Sequence, residues 1–285
     1  MAMAPVDQLL ATIRYYAADH PMVSHFRWDE DHTLGASWGF VISALGIYAA
    51  AILVLKFLTS LRRSPIPLGP LQILHNLALL AGSVAIFAGC LQATLVEHEQ
   101  SSWLWKASGG IDWLFCFPVE TRPVGRIFFW SYAFYLSKFV ELLDTLIIVL
   151  RKRRLTLFHA IQHAGNPIIC FLWLHTAQSL QVIFLLVNTA IQTLLYSYFL
   201  LSSLGFDPPV KEFVTLAQIL QFAIGIAAAA WVALLVRQKS AKCSGMEPLA
   251  ANAVFYLALM LLLTNYYIKI YVRKKPQTKK SKKAQ

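Results

Sequence analysis

Charge is what this chain has least of. Only 14% of its 285 residues are charged, and Asp and Glu number 14 against 25 Lys and Arg. A soluble domain carries roughly 25% charged residues. With 58% hydrophobic residues and a mean hydropathy of +0.57, the composition excludes an ordinary soluble domain and points to a multi-spanning membrane protein. Cysteine is also scarce: four residues and no CxxC exclude a disulfide-built scaffold. No signal-peptide core opens the chain, because the apolar run from Val6 to Ala18 is short and broken by Asp7, Gln8 and Arg14. No internal repeat is visible. The net charge of +11 is mostly a property of one end, since the last 13 residues hold seven Lys or Arg and no acid. That pattern describes a solvated tail, not a nucleic-acid patch.

What the chain does have is apolar length. Seven stretches can span a bilayer, near 36–58, 71–96, 127–150, 155–174, 179–203, 213–236 and 249–271. The expected fold is all-α, seven membrane helices around a narrow interior, in a membrane domain over 36–272. Loop 59–70 carries Arg62 and Arg63, loop 151–154 is Arg151-Lys152-Arg153-Arg154, and the tail over 273–285 is Lys-rich. Seven spans put all three on one side, cytosolic by the positive-inside rule. The interfacial arm over 1–35, with net charge −3, then lies on the luminal side with loops 97–126 and 237–248. Arg237, Lys239 and Lys242 in the last of these run mildly against the rule. The tail is expected to be disordered. It ends Lys282-Lys283-Ala284-Gln285, and lysines third and fourth from the end match the dilysine retrieval pattern of endoplasmic-reticulum membrane proteins.

The chemistry concentrates in one stretch, Lys138 to His163, KFVELLDTLIIVLRKRRLTLFHAIQH. Lys138, Glu141 and Asp144 recur at i, i+3, i+6 and share one helical face. His159 and His163 are four apart and share another, with Gln162 beside them. Ionisable groups on membrane helices cost roughly 2.5–3.5 kcal/mol each at mid-depth and mark functional sites. Further polar stripes follow: Asn188, Gln192, Tyr196 and Tyr198; Thr215, Gln218 and Gln221; Asn265 and Tyr266. Any single stripe is accounted for by interhelical hydrogen bonding at about 1 kcal/mol per contact. The Lys/Glu/Asp/His group calls for more.

Three chemistries can be weighed. His159 and His163 could hold zinc with Glu141 or Asp144 as a third ligand. Membrane di-iron chemistry needs many more histidines than the eight present, of which His20, His25, His32 and His98 lie on the luminal side. Neither reading is preferred, and no metal is expected. Acyl chemistry with imidazole as base or nucleophile fits better. A bundle interior suits an acyl chain, and Arg151 and Arg154 in the basic turn suit the phosphates of coenzyme A. A transporter would show paired broken helices in two halves, and none is visible.

These motifs resemble the ELO family, membrane very-long-chain fatty-acid elongases that condense acyl-CoA with malonyl-CoA. KFVELLDT, Lys138 to Thr145, matches KxxExxDT. HAIQH, His159 to His163, sits where HxxHH is expected. QTLLYSYF, Gln192 to Phe199, sits where HxxMYxYY is expected. TLAQ, Thr215 to Gln218, matches TxxQ. Order and spacing agree over roughly 35–272, and HPMVSHFRW, His20 to Trp28, looks like plant-type members. Two histidines of the family pattern are replaced, by Gln162 and Gln192. Glutamine hydrogen-bonds but is neither base nor nucleophile near pH 7.

The resemblance implies a 3-ketoacyl-CoA synthase of the endoplasmic reticulum membrane. It would have His159 and His163 as catalytic residues. Lys138, Glu141, Asp144, Gln162, Asn188, Gln192, Tyr196, Thr215, Gln218, Arg151 and Arg154 would bind substrate. It implies no cofactor besides acyl-CoA and malonyl-CoA. Partner reductases and a dehydratase would complete the cycle. Gln162 and Gln192 keep one alternative open, an ELO-like protein that binds acyl-CoA or regulates a true elongase. Cys116 and Cys243 both fall on the oxidising luminal side, where a bridge similar to one in the family is expected. Cys90 and Cys170 lie within spans and are expected to be free.

Overall fold

The computed structural model describes residues 5–99, 111–206, 208–239 and 242–273. The Lys-rich tail beyond Arg273, with its two terminal lysines, lies outside the described residues. An amphipathic helix, α1 (Pro5–Arg14), leads through a π turn at Tyr15–Asp19 into a single helical turn, α2 (Pro21–Ser24). Seven long helices follow among the described residues. They are α3 (Trp38–Ser60), α4 (Gly69–Glu99), α5 (Arg126–Leu150), α6 (Leu157–His175), α7 (Gln181–Ser203), α8 (Lys211–Lys239) and α9 (Met246–Tyr267). A π turn over Ile268–Val272 extends the last. Each coincides with one apolar stretch of the sequence, within a few residues at its ends.

Five of these helices, α3, α4, α7, α8 and α9, are long and apolar enough to cross a membrane, so the chain is a multi-pass membrane protein. Helix α5 is interrupted by Arg126, Lys138, Glu141 and Asp144, and α6 is diluted by His159, Gln162, His163 and Asn166. The two helices that carry the polar motifs are thus the two least like a simple lipid-facing span.

Local signals set several helix starts. Ser37 Oγ accepts the Phe40 N–H at 3.2 Å, and Thr156 Oγ1 accepts the His159 N–H at 3.2 Å. The Thr156 cap fixes where α6 begins, and so places His159 in its first turn. Within α6, Pro167 lacks the N–H that would bond the His163 carbonyl four residues back.

Six helices close into a ring, α4–α5–α6–α9–α8–α7 and back to α4. Helix α3 packs outside, against α5 and α6, and only 6% of its most apolar stretch is buried in the protein. The expected wall of seven helices is therefore a wall of six with one helix outside it.

The two ends of the ring differ. At one end Cys116 and Cys243 are joined, with Cα atoms 5.2 Å apart. Phe117 N–H donates to Ser179 Oγ at 3.0 Å, Ser179 N–H to the Ser244 carbonyl at 3.1 Å, and Ser244 N–H to the Phe117 carbonyl at 2.9 Å. Gly245 has φ +66°, and a Cβ there would lie 3.0 Å from Gln178 Cβ. Arg126 ties the amino-terminal arm to this end through Ala18 O at 2.9 Å and Asp19 at 3.4 Å. The other end carries Arg62, Arg63 and the turn Arg151–Arg154. Cys90 and Cys170 are buried free thiols.

Candidate active site

The motif residues of α5 face into the ring. Lys138, 2% exposed, donates from Nζ to Glu141 Oε1 at 2.7 Å and to Asn188 Oδ1 at 3.4 Å. Gln192 Nε2 donates to the same Glu141 oxygen at 2.8 Å. A buried carboxylate is stable only when charged and polar partners surround it, and Glu141 has both. One turn further, Asp144 Oδ1 lies 3.0 Å from His75 Nε2, and Asp144 Oδ2 accepts the Tyr196 hydroxyl at 3.1 Å. The second carboxylate is thereby held between α4 and α7.

Thr145 closes the motif and reaches α6. Its Oγ1 lies 2.9 Å from His159 Nε2 and 2.8 Å from the Tyr48 hydroxyl of α3. The rings of His159 and His163 stack with centroids 3.9 Å apart, as i, i+4 spacing allows. His163 is 9% exposed, and its Nδ1 has no hydrogen-bond partner among the described residues.

These groups line a cavity of about 270 Å³ opening toward the basic end. Glu141 and Asp144 form one wall, His159, Gln162 and His163 a second, and Asn188, Gln192 and Tyr196 a third. Gln218 and Gln221 complete it from α8, and Arg151 and Arg153 stand at the rim. Arg151 also bonds Gln72 of α4. Phe222 lines the deep side, backed by Tyr256 at a ring distance of 5.4 Å, and Tyr256 in turn packs on Phe184 at 5.5 Å. Tyr256 fits because position 225 is glycine: a Cβ there would lie 2.6 Å from its ring.

Beside this cavity, between α6, α7, α8 and α9, lies a groove of about 500 Å³. Thr215, Asn265, Tyr266 and Tyr198 line it with Lys211 and Lys269. Of the residues proposed from the sequence, Thr215 thus faces the groove and not the cavity. Its hydroxyl bonds the Lys211 carbonyl at 2.9 Å. Lys138 sits behind the cavity wall as a buried counter-ion. Arg154 lines a separate depression with Lys56, Lys152 and Arg153, and Arg153 also stands at the cavity rim. His175 lies at the disulfide end, 3.3 Å from Glu30.

Sequence reasoning missed His75, Asn76, Tyr48 and Gln72. The first two had a signal: His75-Asn76 is a polar pair inside the apolar run of α4, and the rule that polar groups in a membrane need partners applies to it. Asn76 Nδ2 donates to the Phe199 carbonyl at 3.2 Å. Among the described residues no three His, Cys, Asp or Glu side chains are grouped to hold a metal ion.

Known proteins place this arrangement. The profile of the GNS1/SUR4, or ELO, family matches residues 33–280, which includes every helix of the ring. The chain belongs to this family. It is 33% identical over 270 residues to "Fatty acid elongase 3-like" of Arabidopsis thaliana, covering 92% of this chain and 93% of that protein. It is 29% identical over 259 residues to "Fatty acid elongase sre1" of Dictyostelium discoideum, covering 90% and 92%. Within an ELO protein, the convergence of KxxExxDT, HAIQH, QTLLYSYF and TLAQ on neighbouring chambers gives the four motifs one physical location.

Proposed function

We propose that this chain is the condensing enzyme of very-long-chain fatty-acid elongation, a 3-ketoacyl-CoA synthase. The observation that carries this reading is the meeting of four sequence-distant motifs around one cavity with a cationic rim. Names of relatives across two distant organisms support it. In the reaction, malonyl-CoA loses its carboxylate as CO2. The carbon left electron-rich attacks the acyl thioester carbonyl and a carbon–carbon bond forms. The carbon–sulfur bond breaks, and the departing thiolate takes a proton to become CoA. His163 and His159 are the groups able to accept an acyl unit or move that proton. Tyr196 and Thr145 hold Asp144 and His159 in place, and Arg151 and Arg153, with Arg154 nearby, meet CoA phosphates. Gln162 and Gln192 serve as amide donors, Gln192 by fixing Glu141.

No cofactor beyond the two thioesters is needed. The product is a substrate for reductases and a dehydratase, which would act as partner enzymes. Seven helices span the endoplasmic reticulum membrane in this reading, with residues 36–272 as the membrane domain. The acidic arm over 1–35 is luminal and the tail over 273–285 cytosolic.

The test uses the full chain in proteoliposomes with long-chain acyl-CoA and malonyl-CoA labelled at C2. A labelled 3-keto product is expected. Silence of the native chain, with product from the variant Gln162→His/Gln192→His, overturns the enzyme reading and leaves an acyl-CoA-binding protein.

A further inference from the structure

The depression beside α3 is a third concave site at the basic end, of about 460 Å³. Lys56 lines it from α3, and Lys152, Arg153 and Arg154 line it from the turn between α5 and α6. Four cations thus border one space, and no Asp or Glu is among its lining residues. Lys152 donates to the Arg62 carbonyl, which ties the turn to the chain leaving α3. Among the described residues, Lys56, Arg153 and Arg154 have no ion pair and no side-chain hydrogen bond. The positive-inside rule accounts for cations in loops. It does not account for Lys56, which is the single charged residue of α3 and lies four residues before its end, about 6 Å along the axis. Like charges gathered around a concavity repel one another unless an anion sits among them. The depression also borders lipid. Helix α3 stands outside the ring, and Leu53, one turn before Lys56, and Phe57, next to it, are 68% and 65% exposed.

We infer that this depression binds the headgroup of an anionic phospholipid carrying a phosphate monoester, with phosphatidic acid as the simplest case. The acyl chains lie along the apolar face of α3 beside Leu53 and Phe57. The phosphate meets Lys56 and Arg154, with Arg153 shared between this site and the cavity rim. A phosphate monoester carries about −1.5 to −2 charges near pH 7, which suits several cations without acids. Guanidinium forks match its oxygens, and basic pockets between membrane helices take such headgroups. The hydroxyls of Thr59 and Ser60 donate to carbonyls of their own helix, at 2.7 and 2.6 Å, so the cations supply the attraction. A soluble phosphate would gain from those cations but not from the apolar surface beside them, and that surface selects the lipid. The inference stands apart from the elongase reading.

Native mass spectrometry of the full chain in detergent tests it by counting bound lipids. The protein is titrated with phosphatidic acid, phosphatidylserine and phosphatidylcholine of the same acyl chains. One phosphatidic acid per chain is expected to bind about tenfold tighter than phosphatidylcholine and at least about threefold tighter than phosphatidylserine. Lys56→Gln is expected to weaken phosphatidic acid about fivefold, the usual contribution of one lysine at an anionic membrane surface, with phosphatidylcholine unchanged. Lys56→Arg should retain the native affinity, because the charge stays. Equal affinity for phosphatidylserine and phosphatidic acid would reduce the depression to diffuse surface charge and overturn the inference. So would a native phosphatidic acid affinity in Lys56→Gln, which would move the lipid to another basic segment such as the tail over 273–285. Displacement of phosphatidic acid by millimolar inorganic phosphate would make this a site for soluble phosphates and overturn the lipid assignment.

Discussion

At the disulfide end, three loops are bound to one another by a covalent bridge, three hydrogen bonds among Phe117, Ser179 and Ser244, one of them to the Ser179 hydroxyl, and a glycine that lets Gln178 approach. Aromatic rings fill the space beneath: Trp173 and Phe134, each 2% exposed, stack at 5.7 Å. At the basic end, the same six helices leave two chambers between them. Several of their polar groups are held by side chains reaching from helix to helix. Glu141, Asp144 and Thr145 of α5 each bond at least one other helix. One end therefore fixes how the helices stand, and the other uses that fixed spacing to hold reactive groups a hydrogen bond apart. Sites of this kind depend on the rigidity of the elements that carry them.

The comparison breaks most sharply at His163. Replacing it with alanine is expected to lower 3-keto product formation by roughly 10²–10⁴-fold, the usual cost of losing a positioned base. The thermal midpoint in detergent should fall as well, because the buried His163 ring stacks on His159, so product is measured per folded protein and compared with His163→Asn. A silent His163→Ala, with product formed at the native rate, would remove that residue from the chemistry.

Next in size is the buried pair. Lys138→Ala leaves the Glu141 carboxylate with the Gln192 amide as its side-chain partner among the described residues, in a site where the two charged side chains are 1% and 5% exposed. An uncompensated buried charge costs about 3–5 kcal/mol. The expected readout is a large fall in the folded fraction during denaturant titration, partly recovered in Lys138→Met/Glu141→Gln, where neither charge remains. An unaltered titration curve for Lys138→Ala would mean the pair does not hold the basic end together.

Cys116→Ser/Cys243→Ser probes the opposite end. The bridge closes a loop with a sequence separation of 127 residues, and losing a bridge of this kind costs about 2–4 kcal/mol. Thermal stability should fall while KM for both thioesters, measured below the melting range, stays within about twofold. A KM that rises together with the loss of stability would show that the two ends are not separable.

Much of this was legible in the sequence, for a physical reason: membrane helices announce themselves as long apolar runs. The helix ends found are those the runs imply, and the KxxExxDT spacing alone puts Lys138, Glu141 and Asp144 on one face. What the sequence could not carry is which helix meets which. His75 and Asn76 signal a buried polar face on α4, but nothing local says that His75 pairs with Asp144, 69 residues away. The exclusion of α3 from the ring is likewise a packing outcome. Which arginines of the basic turn stand at the cavity is also a packing outcome: Arg151 and Arg153 line it, while Arg153 and Arg154 line the depression beside α3.

The smallest expected effect lies on the helix outside the ring. Tyr48 is the one α3 side chain hydrogen-bonded to the motif residues among the described contacts, at 2.8 Å from Thr145 Oγ1, which in turn lies 2.9 Å from His159 Nε2. A hydroxyl has a single proton, so the Tyr48–Thr145 bond constrains whether Thr145 donates to His159 or accepts from it. Removing the phenol oxygen leaves Thr145 free to choose, and His159 loses the bias in its tautomer. Tyr48→Phe deletes one hydrogen bond, about 1 kcal/mol, which corresponds to roughly a fivefold fall in kcat. KM should be unchanged, because Tyr48 lines neither chamber. The pH profile of kcat should shift or broaden, which lost packing alone would not produce, since the phenylalanine ring fills the same space. Thr145→Val should give an effect at least as large, because it removes the group in the middle. A Tyr48→Phe enzyme with native kcat and an unshifted pH profile would show that α3 packs against the active ring without acting on it.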